Sequence, residues 1–499
     1  MKILKYLYRT ALLAACIVLL NSGQPSAETV TLTAESAVSI AIENGYRFKM
    51  LELARKRNLS YLKAERASLK SRVYMNLRAP EYSAVSDYKW NSTLYMNEII
   101  RTNTRRWQMD ISLRQPVIIL GYPTNGYLSL NNRTYKYIQK EDFGNDVDYY
   151  NRFFIEFEQP FFTTNELKND IEEAELDLKM NEMEDASDKV NEIIGVSFSF
   201  NNLLEVVLRD SILSGYIRDL ENMLKEVNAA ANGESSQSIE GVQAALELKN
   251  AHEMHMNNLK QLRGQSMNLK QRIRLNIEDS LVVKHDIRIL PIDVDLDQAL
   301  ELGYSLSPRL RRMRLGNRKT EIDLDNEKSE DAFRLNLETS LGFENNNDVY
   351  REMWDDYTNS YSVSLFAYFP IWDWGRRKAN IEAAEISLKR AHLYLNQVRD
   401  QITNSIVNSV ANLNDYKARV LLIEKSLVDA RESYEASVTR YREGKLSMQG
   451  VLKAMERKKS LEFNYLEAYI GYRGSILRLS SQTFFHYEHE MSMYDCYDL

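Results

Sequence analysis

The feature that most constrains the fold of this chain is an internal duplication. Three landmarks occur twice in the same order: residues 41–46 (AIENGY) and 299–304 (ALELGY), Pro160 and Pro370, and Gly233 and Gly444. Such self-similarity indicates that one structural unit is present twice. The offset between the copies falls from 258 residues at the first landmark to 210 at the second. The first copy therefore holds 48 extra residues, which must lie between about Leu77 and Glu158.

The duplication predicts how the chain is divided. We expect a signal peptide (1–27), a first repeat (28–280, with its insertion at 80–150), a crossover linker (281–296), a second repeat (297–480) and a C-terminal tail (481–499). Each repeat reads as a helix, a strand, a connection, a second strand, a very long helix, a tight turn and a final helix.

Alternation between apolar and polar residues predicts the strands. Each repeat has two such segments, which are residues 73–77 and 153–157 in the first repeat and residues 333–338 and 361–369 in the second. The insertion adds two more segments, at residues 107–114 and near residues 127–137. The sequence leaves open whether these extra strands enlarge a barrel or form an external hairpin.

Long uninterrupted helices are predicted by the scarcity of Gly and Pro. The 499 residues include only 18 Gly and 8 Pro, and no Pro follows Pro370. From Leu388 to Tyr441, apolar residues recur with a mean step of about 3.5, which is a coiled-coil seam. A helix of roughly 70 residues would be about 100 Å long. The corresponding helix of the first copy is expected at residues 165–231.

The N-terminus has the pattern of a secretory signal peptide. Three basic residues precede the apolar run at 11–20, and a small, polar stretch follows up to Ala27. Cleavage near Ala27 is one outcome; the alternative is lipidation of Cys16, because residues 13–16 (LAAC) match a lipobox. Cleavage after Ala27 would leave Cys496 as the single thiol, so no internal disulfide is expected. Loss of the three basic residues changes the net charge from −7 to −10, which argues against a nucleic-acid partner.

Alternating strands without an apolar helix long enough to span a bilayer restrict how a secreted chain can enter a membrane. Every backbone group in hydrocarbon must be paired, so only a closed β-barrel remains. About four strands per chain are too few, because a membrane barrel needs about eight or more. Several chains are therefore expected to share one barrel, which the long helices would continue as a tube.

Two stretches of the second copy resemble a known family, the TolC-like outer membrane efflux proteins. Residues 369–377 (FPIWDWGRR), which run into an Ala-rich helix, resemble that family's junction of a strand, a Pro and Asp-Gly-Gly-Arg-Arg. Residues 441–447 (YREGKLS) resemble its Tyr-x-x-Gly-x-x-Ser hairpin tip. The likeness extends over nearly the whole mature chain, including the duplication. The first copy diverges more, with residues 159–162 (QPFF) at the junction and no Tyr before Gly233.

The resemblance implies a fold class and a set of partners. The fold would be a mixed α and β membrane protein, in which a trimeric β-barrel of about four strands per chain, twelve in all, continues into a long α-helical coiled-coil barrel. The homotrimer would lie in outer membrane lipid and extend into the periplasm. It would passively conduct substrates of an inner-membrane RND, ABC or MFS transporter, delivered through a periplasmic adaptor (membrane fusion) protein, in efflux or type I secretion. No cofactor is implied.

The resemblance also implies three groups of site residues. The adaptor would dock on the hairpin tips. The periplasmic aperture would lie just beyond the tips, and the barrel-helix junction would lie at the strand ends. The candidates are Gly233, Ser236, Gly444, Leu446 and Ser447 at the tips, Glu240, Gly450 and Lys453 at the aperture, and Pro160, Pro370 and Gly375 at the junction. Gly450 and Lys453 stand where the family often has Asp, so an acidic ring is not expected there.

Other motifs in the sequence have ordinary structural interpretations. Residues 252–256 (HEMHM) could bind a soft metal, but the favoured interpretation is a polar helix face, and residues 486–490 (HYEHE) read as a solvated tail. We predict no metal site, no catalytic residue and no enzyme, because no phosphate loop or nucleophile elbow occurs. Aromatic residues at strand ends fit interfacial girdles or ordinary packing: Trp90, Trp107, Trp354, Tyr361, Phe369, Trp372 and Trp374. The alternative function is a periplasmic coiled-coil scaffold without a pore.

Overall fold

The structure is a computed structural model that describes residues 29–91, 95–141, 144–230, 239–284, 289 and 291–497. The predicted signal peptide and lipid anchor, including Cys16, lie outside the described residues, as do the tip residues Gly233 and Ser236.

The strands are, in chain order, β1 (Thr29–Leu32), β2 (Arg72–Asn91), β3 (Met96–Ile119), β4 (Tyr122–Glu141), β5 (Gly144–Phe161), β6 (Ser280–Val283), β7 (Arg334–Asn347), β8 (Thr358–Tyr368), β9 (Phe485–His486) and β10 (Met491–Ser492). The helices are α1 (Ala34–Asn44), α2 (Tyr46–Ser68), α3 (Glu166–Ala230), α4 (Ile239–Ile273), α5 (Leu296–Leu306), α6 (Pro308–Ser329), α7 (Arg376–Arg442), α8 (Met448–Thr483) and α9 (Met493–Cys496). The predicted mixture of long helices and strands is confirmed.

The main sheet is antiparallel and has six strands in the order β2-β3-β4-β5-β7-β8. This corrects the expected number of about four strands per chain, because the insertion contributes β3 and β4. Both inserted strands lie inside the sheet: β3 pairs with β2, β4 pairs with β3, and β4 also pairs with β5. The insertion therefore enlarges the sheet and does not form an external hairpin.

The register of the strands gives the sheet one apolar face and one polar face. Residues of like character stand opposite each other, because side chains alternate between the two faces along every strand. One row of the apolar face is Val73, Leu113, Leu130, Ile155, Leu341 and Tyr361, from β2 to β8. The neighbouring row of the polar face is Arg72, Arg114, Ser129, Glu156, Ser340 and Ser362.

Contacts divide the chain into two compact units, and each unit draws on both repeats. One unit comprises the described parts of residues 1–53, 184–309 and 398–499, and the other comprises residues 54–183 and 310–397 with the main sheet. In the first unit, β1 pairs in parallel with β6. The α7 positions predicted as a seam are buried there, at Val398, Ile406, Val410, Leu413, Val420 and Leu427. Of these residues, Ile406, Val410, Leu413 and Val420 pack with Leu479, Ile476 and Ala299 in one apolar cluster.

A close approach of two helices fixes the position of α5. Gly303 lies so near α7 that a Cβ at this position would stand 2.2 Å from Cδ1 of Ile406. A methyl group at this position would force the Ile406 side chain to move, since real Cβ atoms do not approach another heavy atom so closely. Gly303, the glycine of the landmark at residues 299–304 (ALELGY), is therefore a packing residue.

Candidate functional site

The tip between α7 and α8 is a glycine-dependent turn. Gly444 has a φ of +72°, its N–H donates to the carbonyl of Tyr441 at 2.8 Å, and the N–H of Lys445 donates to the carbonyl of Arg440 at 2.8 Å. This pair of bonds is a Schellman motif, which ends a helix on a left-handed residue. Gly444, Lys445 and Ser447 are exposed, and Leu446 is half-buried. The turn therefore presents a short exposed surface on a rigid frame.

The three aperture candidates occupy different environments. Oε1 of Glu240 accepts a hydrogen bond from the N–H of Met448, at 3.2 Å, which places a carboxylate at the positive end of α8. Lys453 is exposed. A Cβ at Gly450 would lie 2.8 Å from Cδ1 of Leu446. Glu240 and Gly450 therefore have structural contacts that the sequence comparison did not reveal, and the aperture role of all three residues stays a proposal.

A charged pair near the same tip was missed by sequence reasoning. Arg442 donates from Nε to Oε2 of Glu226 at 3.2 Å and from Nη2 to Oε1 at 2.6 Å, which joins the end of α7 to the end of α3. The hydrogen bond from Arg442 holds the pKa of Glu226 below its usual value, against an opposing effect of burial. No spacing in the sequence signals this pair, because its members lie in different repeats.

Two neighbouring lysines of α8 make a second polar cluster between the helices. Nζ of Lys458 lies 3.1 Å from Oδ2 of Asp219 and 4.7 Å from the ring centroid of Tyr434. Burial and the charge of Asp219 raise the pKa of Tyr434 to about 12.

Lys459 is 8% exposed, and its Nζ lies 4.4 Å from the ring centroid of Tyr216. Tyr216 donates its hydroxyl proton to Oε1 of Glu247 at 2.7 Å. Nζ of Lys459 lies 3.8 Å from that same carboxylate oxygen, so the buried cation has a partner of opposite charge. Together the two lysines connect α8 with α3, α4 and α7.

The junction that follows β8 is organised by Asp373. Its Oδ1 accepts from the N–H of Gly375 at 2.9 Å and its Oδ2 from the N–H of Arg377 at 2.8 Å. These backbone hydrogen bonds lower the pKa of Asp373, as expected for a carboxylate at the start of a helix. Gly375 has a φ of +81°, and Pro370 lies in the connection between β8 and α7. The predicted junction residues Pro370 and Gly375 therefore stand directly before α7.

The junction that follows β5 is held by the inserted hairpin. Asn125, just after the β3–β4 turn, accepts at Oδ1 from the N–H of Leu167 at 3.1 Å. Its Nδ2 donates to the carbonyl of Thr164 at 2.7 Å. Asn165 accepts at Oδ1 from the N–H of Lys168 at 3.0 Å, and its Nδ2 donates to the carbonyl of Pro123. Pro160 lies near the end of β5, opposite Asn336.

The polar face of the sheet carries paired charges. Nε of Arg133 lies 2.7 Å from Oδ1 of Asp110. Similar pairs join Arg152 to Glu344 at 3.5 Å and Arg114 to Glu158 at 3.3 Å. This face could therefore stand in water, whereas the apolar face could stand in lipid.

Aromatic residues concentrate where the strands lead into the long helices. Trp372 and Trp374 are 74% and 89% exposed and contact each other edge to face, with ring centroids 5.5 Å apart. Phe369 and Phe162 are also exposed, and Leu120 of the β3–β4 turn is 94% exposed. Exposed rings at the end of an apolar strand band are typical of a membrane interface.

No helix in the described ranges is apolar and long enough to cross a bilayer. Likewise, the described side chains include no group of three or more His, Cys, Asp or Glu residues arranged to hold a metal ion. Nε2 of His255 instead lies 3.0 Å from Oδ1 of Asp210, and His486 stacks on His489 at 4.3 Å.

Comparison with known proteins gives one family. Residues 305–469, about a third of the chain, match the family model of the outer membrane efflux proteins. A comparison with curated protein sequences finds no match.

Solved structures share the fold over most of the chain. The CmeC outer membrane channel of Campylobacter jejuni is 12% identical, with a TM-score of 0.66, over 90% of this chain and 85% of that one. The outer membrane protein VceC of Vibrio cholerae is 12% identical, with a TM-score of 0.65, over 90% and 95%. The MtrE outer membrane channel of Neisseria gonorrhoeae, solved in its open state, is 12% identical, with a TM-score of 0.65, over 90% and 88%.

The matched family and these channels are outer membrane proteins, in agreement with the location expected from the sequence. The matches confirm the resemblance to the TolC-like outer membrane efflux proteins, which the second repeat carries in its sequence and the chain shares in its fold.

Proposed function

We propose that the chain forms an outer membrane channel that passively conducts exported substrates. The observation that carries this proposal is the two-faced sheet, in which the row that runs from Val73 to Tyr361 across all six strands is apolar and the neighbouring row from Arg72 to Ser362 is polar. An apolar face of this extent is stable in lipid, and the polar face would then line water. A periplasmic scaffold without a pore has no use for such a face.

The edges of the sheet support a barrel shared between copies. Within the described part of the chain, β2 and β8 each pair on one side only. Unpaired strand edges are not tolerated in hydrocarbon, so β8 of one copy would pair with β2 of the next. Three copies would then close a barrel of eighteen strands, and not the twelve that the resemblance implies. Barrels of about 16–18 strands leave an aqueous channel.

The long helices and their tips support an assembly with partners. α3 follows β5 and α7 follows β8, so the barrel would continue through them into the periplasm. The exposed turn at Gly444 would meet a periplasmic adaptor, which connects the channel to an inner-membrane transporter of the RND, ABC or MFS class. The chain itself would act in transport and not as an enzyme, in efflux or type I secretion.

Cross-linking of the two sheet edges tests the shared barrel. Val363→Cys in β8 and Met75→Cys in β2 would be combined in a Cys496→Ser background and treated with a bifunctional thiol reagent. The double variant should give dimer and trimer bands under denaturing conditions. Each single variant is the matched control and should stay monomeric at the same reagent concentration. A double variant that stays monomeric while inserted in membranes would contradict edge pairing between copies.

Charge reversal at the tip tests the docking role. Lys445→Glu should abolish export while the protein remains in the outer membrane fraction. Lys425→Glu, on the exposed surface of α7 well before the tip, is the matched control and should export normally. A second variant carries a Pro insertion after Gly444. Unchanged export by both variants would show that the tip is not part of the docking surface.

A further inference from the structure

The apolar face changes character toward the end of the sheet at which β2 joins β3 and β4 joins β5. Three basic side chains that the structure describes lie on this face. Arg105 is two residues from Trp107, which pairs with Lys136, and Lys140 pairs with Asn103 on the same face. We call Arg105, Lys136 and Lys140 the cationic belt. The described carboxylates of these strands lie on the opposite, polar face: Glu81, Asp110, Asp146 and Asp148. The belt therefore presents positive charge to whatever surrounds the sheet.

Aromatic rings surround the middle of the belt. Lys136 stands between Trp107 and Tyr149 in one cross-strand row, with its Nζ 6.0 Å and 5.1 Å from their ring centroids. Tyr350 contacts Tyr149 edge to face, with centroids 5.5 Å apart. These residues and Met353, which is 1% exposed, help to line a cavity of about 320 Å³. The cavity is thus lined by a cation and by aromatic rings.

A buried polar row separates the belt from the apolar band. Asn151 is fully buried, accepts at Oδ1 from Nδ2 of Asn132 at 2.7 Å, and donates from Nδ2 to the hydroxyl of Tyr357 at 2.7 Å. Thr134 donates to the same Oδ1 at 3.0 Å. Below this row, the face is apolar at Leu130 and Ile155. In the proposed barrel, this row would lie near the boundary between hydrocarbon and polar headgroups.

Arg105 and Lys136 make different contacts from the basic residues of the polar face. Arg133 is paired with Asp110, whereas Arg105 lies over the ring of Tyr82 at 5.3 Å. Among the described residues, Arg105 and Lys136 have aromatic contacts and no ion pair with a carboxylate. The nearby loop carboxylate of Glu352 accepts from Nδ2 of Asn347 at 3.3 Å. The positive charge of the belt is thus available to an anion from outside the chain.

We propose that the cationic belt binds the phosphate groups of lipids in the leaflet that this end of the sheet meets. A cation held between aromatic rings, directly above an apolar band, matches a lipid whose phosphate sits directly above its acyl chains. Basic residues near a membrane attract anionic headgroups, and the attraction weakens with salt. This inference rests on the proposed barrel, which places the belt at the outer leaflet.

The test is the retention of a phosphorylated lipid by the full chain. Wild-type protein would be reconstituted in phosphatidylcholine vesicles containing lipid A, a glucosamine lipid with two phosphates, then extracted in mild detergent, and the retained lipid counted by native mass spectrometry. The variant Arg105→Gln, Lys136→Gln, Lys140→Gln should retain at least about tenfold less. The variant Arg105→Lys, Lys136→Arg, Lys140→Arg keeps the charge and should behave as wild type. Dephosphorylated lipid A should be retained poorly by all three proteins.

The outcomes separate this inference from the proposed function. Equal retention by the neutral and charged variants, or equal retention of the dephosphorylated lipid, would overturn the belt as a phosphate site. If millimolar inorganic phosphate displaces lipid A and a different salt at the same ionic strength does not, free phosphate is the true ligand. That result would also overturn the proposal. Channel currents of the same samples report the proposed function independently, and all three proteins should conduct alike.

Discussion

Asn125 and Leu167, 42 residues apart in the chain, are joined by a hydrogen bond of 3.1 Å from the Leu167 N–H to the Asn125 Oδ1. This bond ties the inserted β3–β4 hairpin to the first turn of α3. The insertion is thereby locked both into the sheet and onto the helix that follows it. An appendage would have no such contact with the start of a helix.

Asn125→Ala should destabilise this junction by about 2 kcal/mol, because it removes a helix cap and places Ala at a φ of +62°. The measurement is the free energy of unfolding in detergent. Asn125→Gly is the matched control, since Gly accepts the backbone conformation and loses only the cap, so its loss should be smaller. Equal stability of all three proteins would show that the contact does not stabilise the junction.

The contact of Gly303 with Ile406 can be tested by a double-mutant cycle. Gly303→Ala should cost about 1–3 kcal/mol, because the new Cβ would overlap Cδ1 of Ile406. Ile406→Val removes that methyl group and should cost about 1 kcal/mol by itself. The double variant should be more stable than the sum of the two losses predicts. Simple additivity in urea unfolding would mean that the helices can separate to admit the methyl group at no cost.

The pair of Glu226 and Arg442 should depend on pH in a defined direction. The pKa of Glu226 is lowered in the folded protein, so its contribution to stability is present above the usual pKa of 4.5 and disappears as the pH falls through the folded value. Glu226→Gln should lower the thermal midpoint slightly at pH 7, since exposed pairs contribute little, and the difference from wild type should shrink as the pH falls below 4.5. Glu432→Gln, on the exposed surface of α7, is the control. A Glu226→Gln effect of the same size at every pH would exclude an ionic origin.

The two faces of β4 can be distinguished by single cysteines in a Cys496→Ser background. Ser129→Cys and Arg133→Cys on the polar face should react with a membrane-impermeant maleimide on the order of tenfold faster than Leu128→Cys and Leu130→Cys. The reason is that only the polar face would contact water in vesicles. All four should react equally after denaturation. Uniform labelling of the folded protein would place both faces in the same surroundings.

Local patterns predicted much of this architecture. Alternation at residues 73–77 and 361–369 was enough to assign strands, and the 3.5-residue step was enough to assign the buried positions of α7, such as Ile406 and Leu413. These features depend only on periodicity along one segment. The resemblance of residues 369–377 and 441–447 to a known family added the fold class, which the structure comparisons confirm.

Contacts between distant segments could not be predicted in the same way. The alternation at residues 107–114 indicated a strand but not its neighbours, so the insertion's place in the sheet and the count of six strands required the structure. The hydrogen bond from the Met448 N–H to Glu240 joins different repeats, and so does the ion pair of Lys458 with Asp219. No spacing rule connects residues that meet only after both repeats have folded.

The proposed channel is tested most directly by current recordings in planar lipid bilayers. Purified wild-type protein should produce stepwise, voltage-driven ion currents, because the polar faces of several copies would enclose a water-filled path. Arg133→Glu, which reverses a charge on the polar face, should shift the reversal potential toward greater cation selectivity. Leu130→Phe on the apolar face should leave it unchanged. Protein that is inserted and oligomeric but passes no current would contradict the account.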